Sequence, residues 1–423
     1  MAHPMMRRVA VSVISAALAT CSGGGGRPKP APADAGTATL APTEPPDAGG
    51  GSGEGQDFVA EARLLFRVAA CGDDTPVPAP LDQAIVDAHC AVLRKAMQEY
   101  TDHYLALARP YLAALRPADV PTVVVYPFGG GDLLSALTAF PDATELTLIS
   151  LEYAGDPRRL ATLTSKARQQ LLLANFDETM AWPLRGNWER SRNLQRSQRG
   201  ELAGQLASDL VALTVHGFEP SSLRYFSLND DGTIHYLSAA EQQALEGTRA
   251  KRIGEWVRPD FSPAFANMEL GFRPRGGGPE RVFRHLAFNL DNAHLTAAPS
   301  LLKHLEAKGR VAAMTRAASF LLWGDEFSMI RDYLTAHLQW MISDTTGVPP
   351  PFAARAGLEQ ITYGTFTGAF EPSDQDPRRE WNAAFVALWE HNPAVKLPFR
   401  FGYPDRGLHA HMMITRRPAA ATK

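Results

Sequence analysis

VVVYPFGGGDLLSALTAFPDATELTLISLE, residues 123–152, is the stretch that decides the fold. Val123, Val124 and Val125 form a continuous β-branched run of the kind found in a strand buried on both faces, beginning near Thr122. Leu133 to Phe140 has helical spacing, and Glu145 to Glu152 reads as a second strand. Strand, glycine turn, helix and strand in succession predict an α/β fold. Glycines such as Gly129, Gly130 and Gly131 let a backbone approach a ligand, and the helix N-terminus behind them favours anions. Glu152, an acid ending the second strand, stands where a ribose would be held. The alternative is purely architectural: a turn that needs positive φ to fold strand onto helix, with Asp132 as the helix N-cap.

Upstream, Val86, Cys90, Leu93, Met97, Tyr100, Tyr104, Leu107 and Tyr111 recur every three or four residues from Asp82 onward, which predicts one long packed helix. Downstream, Asn229 to Gly232 is strong turn chemistry between Leu223–Leu228 and Thr233–Leu237, and predicts a hairpin. A second hairpin pairs Met268–Phe272 with Val282–Leu290 around Gly276, Gly277 and Gly278. Two helices are expected at Arg310–Trp323 and Glu326–Ile342, with Asp344 to Gly347 ending the second. His337 lies beside the apolar face of that second helix and reads as a satisfied core histidine. Arg185, Arg190, Arg192, Arg196 and Arg199, interleaved with Trp182 and Trp188, read as a solvated helix face or as a surface for anionic or sugar-like partners.

From Tyr126 to Asp132 and on to Glu152, the layout resembles the first half of a Rossmann-like domain, and specifically the opening motif of S-adenosylmethionine-dependent methyltransferases. Those enzymes carry an acid where Tyr126 stands and a glycine where Phe128 stands, and Asp132 takes the place of the motif's last glycine. The resemblance implies a ligand site at Gly129, Gly130, Gly131, Asp132 and Glu152. A dinucleotide fingerprint would need a third glycine where Leu134 sits. Lys308 to Pro349 resembles segments of uncharacterised exported bacterial proteins, which implies no activity.

Arg7 and Arg8 precede an apolar run from Val9 to Ala19, the layout of a signal peptide. Leu18, Ala19, Thr20 and Cys21 resemble the bacterial lipoprotein box, which implies acylation of Cys21 by palmitate or a related chain. Thr20 replaces the small residue usual there, so plain secretion is the alternative. Ser22 in place of aspartate favours the outer membrane. S-adenosylmethionine and nicotinamide cofactors are made in the cytosol, so no cofactor is expected of an exported chain. Residues 22–56 are built from Gly, Pro, Ala, Thr and a few charges, and cannot bury enough surface to offset their ordering entropy.

Cys71 and Cys90 form an even pair, which invites a disulfide in an oxidising compartment, with two separate buried thiols as the alternative. A formal net charge of -3 supplies no basic field for nucleic acid. His409 and His411 share a face of a short C-terminal strand, but two ligands do not make a metal site. No His-Glu-x-x-His run, Gly-x-Ser-x-Gly elbow or P-loop occurs.

The expected organisation is a signal peptide with lipobox over 1–21, a disordered linker over 22–56, a helical and Rossmann-like α/β region over 57–215, and an α+β region over 216–423. The expected function is a lipid-anchored, non-catalytic binding or scaffolding protein of the cell envelope, whose partners are membrane lipid and envelope components. The rival is a diverged enzyme, a methyltransferase-like group transferase or an envelope hydrolase, working at the Gly129 to Asp132 turn. An enzyme would keep an open polar cleft near Asp132, Glu152 and Asp344, whereas a scaffold would fill it with side chains such as Tyr126 and Phe128.

Overall fold

Ten strands share one sheet in this computed structural model, which describes residues 55–186, 200–202, 204–246, 262–318, 320–369, 379–392 and 395–418. Cys21 with its leader, nearly all of the linker, Ser319, Trp188, Arg190, Arg192, Arg196 and Arg199 lie outside the described residues. The strands are β1 (Val123–Pro127), β2 (Glu145–Ser150), β3 (Phe218–Leu228), β4 (Ile234–Tyr236), β5 (Met268–Pro274), β6 (Arg281–Ala287), β7 (Val311–Thr315), β8 (Leu338–Ser343), β9 (Glu359–Gly364) and β10 (His411–Arg416).

Their order is β4-β3-β5-β6-β2-β1-β7-β8-β10-β9. The run β6-β2-β1-β7-β8 is parallel throughout. Counted as they occur along the chain, these five parallel strands stand in the order 3-2-1-4-5. That order belongs to a doubly wound sheet, and its direction of winding reverses between β1 and β7. Antiparallel pairs extend both edges, β3 and β5 beyond β6 and β10 and β9 beyond β8. Both expected hairpins are present, as β3 with β4 and as β5 with β6. The chain is α/β, and β1 and β2 share their sheet with strands from beyond residue 216.

Adjacent residues of β1 feed opposite layers. Val124 and Tyr126 pack with Leu93, Leu137 and Leu210 on one face, while Val125 packs with Leu301, Ile330 and Leu334 on the other. Helices therefore cover both faces, which is why the strand reads as an unbroken apolar run. α1 (Val59–Val68), α2 (Gln83–Tyr100), α3 (Ala106–Leu115) and α4 (Leu133–Ala139) all belong to the first layer. Asp82 caps α2 by accepting from the amides of Ala84 and Ile85, and a π-helical turn over Thr101–Leu105 joins α2 to α3. Every residue of α4 is buried, so this short helix has no solvent face. No described helix is long and apolar enough to cross a membrane.

Two expected helices are corrected. Val311–Thr315 is the strand β7, inserted beside β1 and buried at every position. The second helix is confined to Ser328–His337; at Leu338 the backbone turns to ψ 128 and continues as β8. Asp344 to Gly347 accordingly ends a strand, not a helix. His337 finds a partner, its Nδ1 lying 3.0 Å from the Gly309 carbonyl oxygen with its ring stacked on Tyr333, but it is half-buried at the end of the helix and not the core residue expected.

Candidate functional site

The glycine turn leaves β1 at the place where the winding of the sheet reverses. Phe128 adopts φ 61, uncommon for a residue with a side chain, and the Gly129 amide donates to the Ile149 carbonyl at 2.9 Å, tying the turn to β2. Asp132 then caps α4 through a 3.4 Å bond from the Ser135 amide to Oδ1. The alternative reading of Asp132 as an N-cap is thus realised, and the carboxylate does more than cap.

Arg316, the residue after β7, reaches across the winding reversal to Asp132. Its Nε donates to Oδ2 at 2.8 Å and its Nη2 to Oδ1 at 3.2 Å, a bidentate pair in which both residues are about 5% exposed. The Tyr126 hydroxyl donates to the same Oδ2 at 2.9 Å. Burial, then the Asp132 carboxylate, push the Tyr126 hydroxyl pKa well above its ordinary value, so it stays a protonated donor. Burial works against the Arg316 charge, but Asp132 together with Tyr126 and Tyr104 outweighs it and raises the guanidinium pKa. Charge-assisted bonds of this kind are strong and geometrically selective.

The three glycines are buried by the chain itself. A Cβ at Gly131 would collide with Gln205 Oε1, and one at Gly129 would come within 2.8 Å of the Tyr126 ring. At these two positions the missing side chain admits protein neighbours, so the close approach that glycine permits is used internally.

Glu152 lies just beyond β2. Its amide donates to Ser150 Oγ at 3.2 Å, and its carbonyl lies 2.8 Å from His285 Nε2. The residue is 3% exposed, and its carboxylate makes no hydrogen bond or ion pair among the described residues. Asp344, the third acid expected near the strand ends, is wholly committed. Oδ2 accepts from the amides of Ala317 at 2.9 Å and Tyr403 at 3.0 Å; Oδ1 accepts from the Thr346 amide at 2.8 Å and from the Thr346 hydroxyl. One buried carboxylate thus pins the ends of β7 and β8 to the segment around residue 403, and holds Ala317 at φ 52. Gly402 packs directly on this carboxylate with φ 67, leaving no room for a Cβ. Gly402→Ala is therefore expected to destabilise the protein by more than the ~1 kcal/mol that the same substitution gains at a site whose backbone an alanine can adopt. Denaturant unfolding checks this, and an unchanged midpoint would remove Asp344 from its pinning role.

His409 and His411 do not converge on one point. His409 is tied to Asp405 by its amide at 2.7 Å and its Nδ1 at 3.0 Å. His411 is buried against Phe366 and Trp389, with Nε2 placed 3.1 Å from Thr345 Oγ1 and 3.4 Å from the Thr345 amide. An amide can only donate, so Nε2 is an acceptor and the ring is neutral; burial lowers its pKa, against the pull of Asp344 and Asp405. Away from the strand ends, Cys71 and Cys90 form the disulfide, joining the segment after α1 to α2.

Sequence reasoning placed Gly129, Gly130, Gly131, Asp132 and Glu152 in one neighbourhood but missed Arg316 and Gln205. No local pattern signals a partner 184 positions away. No protein-family model, curated protein or solved structure matches this chain.

Proposed function

We propose that the body is a non-catalytic binding or scaffolding unit of the cell envelope, carried on a lipid tether at Cys21, with plain secretion as the alternative form of export. The observation that carries the non-catalytic reading is the Asp132–Arg316–Tyr126 cluster. It occupies the strand-end position that a nucleotide-like ligand takes in doubly wound folds, and it spends the turn's acid on the protein's own arginine. Gln205 and the Tyr126 ring fill the approach that the glycines would otherwise offer.

One observation favours the rival enzyme. The buried Glu152 carboxylate, without a partner among the described residues, is the kind of group a bound hydroxyl would satisfy.

A thermal-shift series on the protein with S-adenosylmethionine, nucleotides and envelope glycans separates the two readings. A ligand at a hundredfold excess over its dissociation constant adds about 2.7 kcal/mol. The cofactors and nucleotides are expected to produce no shift. A shift that is lost in Glu152→Gln, with the fold intact by circular dichroism, would replace the scaffold reading with the enzymatic one.

A further inference from the structure

Cys71, His89 and Cys90 are all buried, and one ligand atom from each lies within 4.8 Å of the others. His89 precedes Cys90 on α2, and its ring is set between two oxygens, Nε2 at 3.1 Å from the Ala69 carbonyl and Nδ1 at 2.9 Å from Asp177 Oδ1. Asp177 comes from α5 (Lys166–Ala181), which packs along α2. A carboxylate on one imidazole nitrogen is the usual companion of a histidine that gives its other nitrogen to a metal. Two cavities flank the group. One, of about 250 Å³, has Cys90, Arg67 and Arg94 in its wall, and the other, of about 360 Å³, has His89 and Asp177. Arg94 also donates to the Cys71 carbonyl at 3.2 Å, bringing positive charge to where thiolates would form.

We propose that the Cys71–Cys90 disulfide is the oxidised state of a metal site, and that the reduced chain binds a borderline-soft divalent cation, Zn²⁺ above all, through Cys71 Sγ, Cys90 Sγ and His89 Nε2. A dithiol supplies two electrons and two protons: it breaks the S–S bond, leaves as its own disulfide, and yields the two thiols. The cation then displaces both thiol protons to solvent, and the neutral imidazole gives its lone pair in place of the contact with Ala69. Two thiolates, one imidazole and a fourth ligand from solvent make the tetrahedral set that zinc prefers. Asp177 orients the imidazole without ligating the metal and is a positioning residue.

The test reduces the full chain with a dithiol, removes the reagent under anaerobic conditions and titrates with Co²⁺ as a spectroscopic stand-in for Zn²⁺. A thiolate-to-cobalt charge-transfer band saturating at one ion per chain is expected from the reduced protein and is absent from the oxidised one. His89→Ala is expected to weaken binding at least tenfold, and Asp177→Asn by about 10- to 100-fold. Loss of the band in a Cys71→Ala, Cys90→Ala double variant with native circular dichroism completes the expected result. A reduced chain of native circular dichroism with no band overturns the proposal. So does full-strength binding in His89→Ala, and so does unfolding on reduction that Zn²⁺ fails to reverse.

Discussion

Arg316→Met is expected to destabilise the protein by about 3–5 kcal/mol, the loss typical when one partner of a buried ion pair is removed and the other charge is left in place. Asp132 would remain about 5% exposed, with only the Tyr126 hydroxyl and the Ser135 amide as donors. The cost comes from desolvation of the orphaned carboxylate more than from the lost attraction, and a second variant isolates this. Asp132→Asn removes the charge and keeps one acceptor oxygen, which serves either the Ser135 amide or the Tyr126 hydroxyl. The double variant is therefore expected to lose less than the sum of the singles, with a coupling of roughly 1–3 kcal/mol. Urea unfolding of the four proteins measures it. Strict additivity would mean that Asp132 and Arg316 do not act as a pair, and the central observation behind the non-catalytic reading would fall with it.

Acidification below neutrality should weaken the fold well before the carboxylates titrate. Burial, then the charges of Lys308 and Arg284, depress the pKa of His304 to about 3, against a bond to the Gly232 carbonyl. His411 is lowered by burial as well. Both rings are held neutral in the folded chain, whereas in the unfolded chain they take up protons near pH 6.5. The unfolded state then binds more protons, so stability is complete above about pH 6.5 and falls as pH drops from there toward about 3 for His304. His304 contributes up to about 1.4 kcal/mol per pH unit, or roughly 2 kcal/mol between pH 6.5 and 5, and His411 adds to it in the same direction. His216, lowered to about 3 by burial and then Arg109, adds less because it is partly exposed and solvent screens the repulsion. Carboxylates act in a separate window. Glu145 works against burial but is drawn to about 2 by Lys308 and Arg284, so it withdraws its stabilisation only below its ordinary 4.5. Unfolding midpoints across pH 7 to 5 test the prediction, and His304→Gln should flatten the slope by up to about one proton. An unaltered slope in that variant would assign the acid sensitivity elsewhere.

Within the turn, sequence and structure agree on location and part on use. Three glycines after a β-branched strand predicted a backbone bend into a helix, and Asp132 as its cap follows from position alone. Whether those glycines faced a ligand or the protein depended on Gln205, Tyr126 and Arg316, and two of these arrive from distant parts of the chain. Glu152 was legible as an acid ending a strand, but its burial depends on the elements packed above it. Asp344 was read as the end of a helix because nothing in Glu326–Ile342 breaks the helical period at Leu338. Neither glycine nor proline marks the point where helix becomes strand.

By itself the sequence determined the α/β class, both hairpins, the α2 stripe and the pairing of Cys71 with Cys90 as a possibility. These rest on local signals: turn chemistry, side-chain period and composition act between residues near one another in the chain. Only the tertiary structure decided that Val311–Thr315 is a strand inside the sheet, that β8 follows directly on a helix, and that Asp132 meets Arg316. A strand buried on both faces has no alternation to distinguish it from a buried helical segment. A charge pair formed across the winding reversal of a sheet exists only once the strand order β2-β1-β7 brings the two chain segments side by side.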